Sequence, residues 1–398
     1  MNSPAIPLQH SSRHVWGAVL AMSLCAFALV ASEFLPVSLL TPIASELSLT
    51  EGQAGQAISI SGFFAVITSL LLATMTQGID RKPVLLATTA LMLVSGAVVA
   101  FAPNYLTLMV GRAVLGIAIG GYWSMSTAVM MRIAPEALIA RAIAVMQGGT
   151  ALATAIAAPV GSYLGGLIGW RGAFFCVVPL AALALIWQAF TLPAMPSQRT
   201  QVSAFGPLRL LGDCKIALGM GAVAFLFMGQ FALFTYLRPF LETVTLVDLP
   251  TLSLLLLVIG AAGLLGTLLV GALVNRDLNR ILVGIPLIMG AIAFAVIAVG
   301  NWVVPVAVLL GLWGLIATCA PVGWFTWLAK ALPHNAEAGG GLMVAVIQLA
   351  ITAGATVGGL LYDGAGYRAT FMASGVFLLI AATLSVITNA MGDRRRRR

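Results

Sequence analysis

Apolar residues run along this chain in long blocks, and polar residues are confined to the short gaps between them. About twenty apolar residues let a helix cross a hydrocarbon core of roughly 30 Å. The first block covers residues 15–40. It is longer than the apolar region of a secretory signal (about 7–15 residues) and more blocks follow, so it is expected to be retained. The others lie near 54–75, 84–101, 105–131, 139–168, 172–190, 216–241, 252–274, 281–299, 303–328, 338–361 and 370–390. None alternates polar with apolar as a barrel strand does, and lipid offers no partner to unpaired backbone groups, so the pattern predicts twelve transmembrane helices. The longest polar interruption, 193–213, is rich in Pro, Ser and Gln and follows the sixth block. It predicts an N-terminal six-helix bundle over 1–192, a cytoplasmic linker over 193–214, and a C-terminal six-helix bundle over 215–398 with a basic cytoplasmic tail.

The two halves repeat each other at an offset of 197 residues. Gly161 to Phe175 overlays Gly358 to Met372, with Gly169 on Gly366, Trp170 on Tyr367, Arg171 on Arg368 and Phe174 on Phe371. The same register places Asp80 on Asp277, Pro42 on Pro239, Phe34 on Phe231 and Glu33 on Gln230. Six spans is an even number, so the halves have parallel topology and are related by an axis along the membrane normal. The fold class expected is an all-α polytopic membrane protein made of two parallel-topology six-helix bundles.

Composition removes the soluble alternatives. Of the 398 residues 61% are apolar and 8% charged, against about 25% charged in an ordinary soluble domain. The four cysteines stand far apart with no CxxC, so neither a disulfide framework nor a zinc site is indicated. His10, His14 and His334 all lie outside the apolar blocks, and no HExxH occurs, which leaves an intramembrane enzyme without a catalytic constellation. No Walker loop or cofactor motif is present, so no cofactor is expected and ATP is not the energy source.

The bases give orientation. With a cytoplasmic N-terminus the inner connections and tail hold Arg13, Arg81, Lys82, Arg132, Arg141, Arg199, Arg209, Lys215, Arg276, Arg280, Lys330 and Arg394 to Arg398, against Arg171, Arg238 and Arg368 outside. Both termini are therefore expected in the cytoplasm. The arginine tail reads as an anchor on the anionic lipid surface rather than a nucleic-acid site.

Several short motifs carry a family resemblance. Gln77-Gly78-Ile79-Asp80-Arg81-Lys82, Arg112 within Leu108 to Gly116, and Ala158-Pro159-Val160-Gly161 resemble the loop, fourth-helix and fifth-helix motifs of the major facilitator superfamily. Thr76 and Ala158 stand where that family usually has glycine. Glu33 to Pro42, Phe234 to Pro239 and Pro321 to Trp324 resemble the twelve-span drug:proton antiporter branch, especially its sugar and nucleoside exporters. The resemblance covers essentially the whole chain. It implies the major facilitator fold and a proton-coupled antiporter in the bacterial inner membrane, exporting small polar solutes, purine ribonucleosides such as inosine and guanosine foremost. A sugar or drug exporter of the same branch, or an uptake symporter of the same fold, is the alternative. The partners expected are a small-molecule substrate, protons and lipid, with the chain a monomer.

An ionisable group inside hydrocarbon costs about 2.5–3.5 kcal/mol on insertion scales, which makes it a functional candidate. Glu33 and Arg112 are the two clear instances. Each lies seven residues from the expected outer end of its helix, about 10 Å deep, so they are expected to form a proton-coupling pair or a static bridge. In the family the first, fourth, seventh and tenth helices line the cavity. On and beside them Phe34, Trp123, Ser126, Gln230, Tyr236, Arg238, Trp324 and Gln348 are the substrate-binding candidates. Aromatic faces stack a planar base, while hydroxyls and amides pair with its edge. By the same resemblance Asp80 and Arg81 form a gating latch at the inner surface, and Pro159 bends its helix.

Overall fold

The computed structural model describes residues 12–76, 78–196, 207–332 and 336–397. Among these, every long element is a helix: α1 (Ser12–Leu47), α2 (Glu51–Met75), α3 (Arg81–Ala100), α4 (Tyr105–Ile133), α5 (Ile139–Phe175), α6 (Val177–Thr191), α7 (Cys214–Thr235), α8 (Leu237–Thr243), α9 (Leu249–Val299), α10 (Val303–Ala317), α11 (Cys319–Ala331) and α12 (Ala336–Arg397). These do not correspond one to one with the twelve expected spans.

Ten stretches among the described residues are long and apolar enough to cross a membrane, and two of them, Arg141–Thr191 and Gly339–Met391, run for 51 and 53 residues. At 1.5 Å per residue each is about 75 Å long, more than twice the hydrocarbon core, so each makes two crossings. The turning points are Gly169 (φ 76°, ψ 163°) and Gly366 (φ 75°, ψ −177°). That backbone region is essentially confined to glycine. The two glycines are one repeat apart, so the sequence duplication is also a duplication of backbone geometry. Division at these two points gives the twelve crossings read from the sequence. Conversely, the seventh span is α7 and α8 with a break at Tyr236, and the tenth is α10 and α11 with a break at Thr318.

One difference from the sequence reading matters for the site. The first helix does not end at residue 40 but continues to Leu47 through Pro36 and Pro42. Proline is tolerated inside membrane helices because neighbours satisfy the backbone groups it frees.

Polar side chains close the helix starts: Thr50 and Gln53 form a capping box on α2, and Asp80, Asn104, Asp213 and Asp248 accept from first-turn amides. Asp248 lies just outside its span, and its hydrogen bonds from Thr251 hold its carboxyl below the usual carboxylate range. Buried apolar residues form two cores. One is built almost wholly from α1–α6 and the other almost wholly from α7–α12.

Arg171 beside Gly169 donates to the Ala102 carbonyl and to the Glu46 carboxylate, and its guanidinium lies 4.2 Å over the Trp170 ring. It ties three segments together at one end of the bundle, the architectural role its repeated position suggests.

Candidate functional site

Arg112 is fully buried in α4, and its guanidinium is consumed by α1 and α2. Nε donates to the Ala57 carbonyl (2.8 Å), Nη1 to the Ser32 carbonyl (2.7 Å), and Nη2 to the Glu33 carbonyl and Ser61 Oγ (both 3.1 Å). The Ser32 carbonyl is available for a local reason. Pro36 has no N–H, so the helical bond it would make to the residue four positions earlier is missing. Pro42 frees the Ser38 carbonyl in the same way, and Arg238 donates to it from the other half of the molecule. Each helix proline of α1 thus presents an acceptor inside the membrane, and each acceptor holds an arginine.

Glu33 and Arg112 are brought together, but not as the ion pair expected. Arg112 binds the Glu33 carbonyl, and the carboxylate Oε1 instead accepts from Gln348 Nε2 of α12 at 3.2 Å. Nor do the two residues lie equally far from their helix ends. Because α1 is longer than expected, Glu33 lies fourteen residues from its end, about 21 Å. The two residues still meet because the arginine fork spans α1 and α2.

The Glu33–Gln348 bond belongs to a seam between the halves. Asp363 of α12 accepts from Thr50 Oγ1 (2.6 Å) and the Gly52 amide (2.9 Å) at the N-terminus of α2. Further along, Thr356 meets Gln56 and Ser59, and Thr352 exchanges bonds with the Ser59 backbone and hydroxyl. Gln348 makes the innermost hydrogen bond of this α12 seam among the described residues. Beside it Phe34 stacks on Phe231 (5.7 Å, 22°), a pair related by the internal repeat. Beyond the seam, toward the Asp80 end, an open cleft of about 490 Å³ is lined by Gln147, Pro321, Val322, Phe325, Thr326 and Ala329. Hydrogen bonds between the halves gather toward the Thr50 end, and this cleft lies toward the Asp80 end.

The remaining candidates divide by this geometry. Trp123 is half-buried and packs edge-on against Tyr122, whose hydroxyl is bonded to the Met22 carbonyl. Ser126 is buried with its hydroxyl on the Trp123 carbonyl. Trp324 is buried edge-on to Trp327, and its indole N–H has no partner. Gln230 and Gln348 each hold a buried amide oxygen without a donor. Tyr236 and Arg238 lie within the seam rather than the cleft. The Tyr236 hydroxyl donates to the Ala355 carbonyl and its ring stacks on Tyr362, while Arg238 pairs with Glu242 (2.8 Å) as well as Ser38. Their polar groups are occupied in this conformation. Pro159 is buried within the fifth crossing, ten residues before the turning point at Gly169.

At the end toward the cleft, Asp80 and Arg81 dock the α2–α3 turn on the segment after α6. The Asp80 carboxylate accepts from the Lys82 amide (2.8 Å) and, through both oxygens, from the Met195 amide (3.0 and 2.9 Å). The Arg81 amide donates to the Met195 carbonyl (3.1 Å) and its guanidinium to Thr76 Oγ1 (3.0 Å). These contacts stay within the N-terminal half. Gln77 lies outside the described residues. No group of three or more His, Cys, Asp or Glu side chains able to hold a metal occurs among the described residues.

Comparison with known proteins agrees with this architecture. The family model of the Major Facilitator Superfamily matches residues 22–351. A protein of Pseudomonas aeruginosa named transcription regulatory protein OpdE is 56% identical over 379 residues, covering 94% of each chain. The purine ribonucleoside efflux pump NepI of Salmonella enteritidis is 38% identical over 371 residues, covering 93% of each. Among solved structures, a bacterial homologue of the human lysosomal transporter Spinster, inward-facing and unoccupied, superposes with a TM-score of 0.77 at 15% identity, covering 95% of this chain and 97% of that one.

Proposed function

The chain belongs to the major facilitator superfamily, a transporter family rather than an enzyme family, and on that premise we propose that it is a proton-coupled exporter of small polar solutes, purine ribonucleosides such as inosine and guanosine first among them. The observation that carries the reading is Glu33: a buried carboxylate that makes no ion pair among the described residues and is bonded across the seam to Gln348, in the half where its repeat partner is the neutral Gln230. Burial opposes its charge and the nearby guanidinium of Arg112 favours it, so a movement of the helices changes which influence wins. In the state open at the Thr50 end, protons reach Glu33. Opening at the Asp80 end releases them as solute is captured.

In this reading both termini and the Asp80 end face the cytoplasm, the membrane is the bacterial inner membrane, and the transporter works as a monomer with six-helix units over 1–192 and 215–398 joined by 193–214. Phe34, Trp123, Ser126, Gln230, Trp324 and Gln348 contact the solute. Tyr236 and Arg238 join them when the seam parts, and Pro159 lends compliance to α5. Asp80 and Arg81 latch the α2–α3 turn. The alternatives within the fold are a sugar or drug exporter and an uptake symporter.

The name of the Pseudomonas relative favours a second reading, compatible with the first. An exporter that lowers the cytoplasmic level of an inducer changes transcription without touching nucleic acid.

The test uses cells preloaded with labelled inosine and energised membrane vesicles. The wild-type protein should speed inosine loss and raise tolerance to 6-mercaptopurine ribonucleoside, and Glu33→Gln should abolish both while the protein remains folded. Uphill accumulation by Glu33→Gln vesicles places the proton site elsewhere. Export of arabinose or chloramphenicol with inosine unmoved places the chain among the sugar or drug exporters. A transcript change that persists in Glu33→Gln cells separates regulation from transport.

A further inference from the structure

Gln348 is buried at the innermost hydrogen bond of the α12 seam, and its two amide ends are in different conditions. Nε2 donates to the Glu33 carboxylate, while Oε1 is buried with no donor. A primary amide has two donors at one end and an acceptor at the other, and the end that faces a neighbour is decided by what the neighbour can offer. An ionised carboxylate only accepts, so it fixes the N–H end of Gln348 upon itself. A protonated carboxyl has an O–H to give, which the amide oxygen can accept.

We infer that the Gln348 amide reverses with the protonation of Glu33, so that the group it holds free switches from an acceptor when Glu33 is ionised to a donor when Glu33 is protonated. The inference rests on Glu33 as the proton carrier and assigns Gln348 as its positioning residue. The step is a proton transfer with no bond to carbon altered: the proton arrives on a Glu33 oxygen, the N–H···O⁻ bond is replaced by O–H···O=C, and the amide turns about its last torsion. The solute class follows. With Glu33 ionised, the unmet Gln348 oxygen calls for a neutral solute that presents an N–H donor to it. With Glu33 protonated, the site offers N–H and disfavours that solute. Proton and solute then exclude each other, which is what an exchanger requires.

The surroundings leave few other groups to do this. Facing Glu33, α4 brings Arg112, whose guanidinium is spent on carbonyls and Ser61. The helices α2, α3, α5 and α7 bring ionisable side chains only toward their ends (Glu51; Arg81 and Lys82; Arg141, Tyr163 and Arg171; Cys214 and Lys215), α12 brings Tyr362, Asp363, Tyr367 and Arg368 fourteen or more residues beyond Gln348, and α6 brings none. The short α8 commits Arg238 to Glu242 and Ser38.

The test is infrared difference spectroscopy of the full-length protein in lipid nanodiscs, titrated through pH. A protonated-carboxyl band should appear on acidification and be lost in Glu33→Gln. A glutamine side-chain carbonyl band should shift with the same midpoint and be lost in Gln348→Met, which keeps the length of the side chain, and in Gln348→Asn, which keeps the amide but falls short. Inosine at millimolar concentration should shift the glutamine band above that midpoint and leave it unchanged below. A titrating Glu33 with an unmoved glutamine band overturns the reversal and spares the proton-carrier reading. The absence of any Glu33-dependent carboxyl band overturns both. A glutamine band that follows pH but ignores inosine overturns the solute half of the inference.

Discussion

The seam at the Thr50 end should part when Asp363 is shortened to alanine. Its carboxylate accepts from Thr50 Oγ1 and from the Gly52 amide, both at the N-terminus of α2 in the opposite half. Asp363 is exposed, so the low end of the range applies, roughly 0.5–1 kcal/mol for each bond. The favourable placement of a negative charge at a helix start adds about 0.3–1 kcal/mol. Together the loss is about 2 kcal/mol, or roughly thirty-fold in the balance between the conformation closed at this end and the one open there. The helix itself should survive, because Thr50 and Gln53 cap it independently of Asp363. The measurement is the distance between spin labels at Leu106 and Val304, which lie at this end in opposite halves and are 72% and 74% exposed. The exposed Cys176 and Cys214 would first be replaced by serine. Asp363→Ala should populate a second, longer distance, and Asp363→Asn, which keeps an acceptor, should do so less. An unchanged distribution in Asp363→Ala would show that the closed end does not depend on this carboxylate.

Other perturbations follow from the same contacts. Arg112→Lys should be nearly as harmful as Arg112→Met, because one ammonium cannot serve four acceptors spread over α1 and α2; loss of two bonds corresponds to about 1–3 kcal/mol in a membrane interior, read by unfolding in mild denaturing detergent, and a wild-type midpoint for Arg112→Lys would refute the fork. Gly366→Ala should cost about 1–3 kcal/mol from backbone strain alone, since nothing lies within 4 Å of the added methyl, and Gly169→Ala should match it; thermal midpoints of both variants decide this. Asp80→Asn should loosen the turn from Met195 and slow export while expression and helical content stay normal, and wild-type turnover would reduce that turn to a topology signal.

The crossings were legible because burial in lipid leaves a long, uniform hydrophobic signature, and the repeat was legible because Gly169 and Gly366 occupy a backbone region other residues avoid. Glu33 and Arg112 were legible for the same reason of cost, whereas Arg238, counted among the outer bases, is buried on the Ser38 carbonyl. What the sequence did not disclose was partnership. Glu33 and Arg112 look like a pair when only charges are counted, and Gln348, legible as a solute ligand, lies 315 residues from Glu33 with nothing in the sequence to join them. The length of α1 was missed because Pro42 and the polar residues after it read as a terminus. A proline within a membrane helix also names the carbonyl four residues before it as a free acceptor. Pro36 and Pro42 thereby point to Ser32 and Ser38, the two carbonyls where Arg112 and Arg238 are found.

The stacked rings of Phe34 and Phe231 have a mechanical consequence. Two residues that are images of each other under the internal symmetry can touch only where the symmetry axis passes between them, so this contact marks the axis within the membrane. When one half rotates against the other, displacement grows with distance from the pivot. Glu33 is the next residue in the chain to Phe34. The group proposed to change its charge therefore sits beside the line on which the two halves meet, where a shift of either half alters its neighbours.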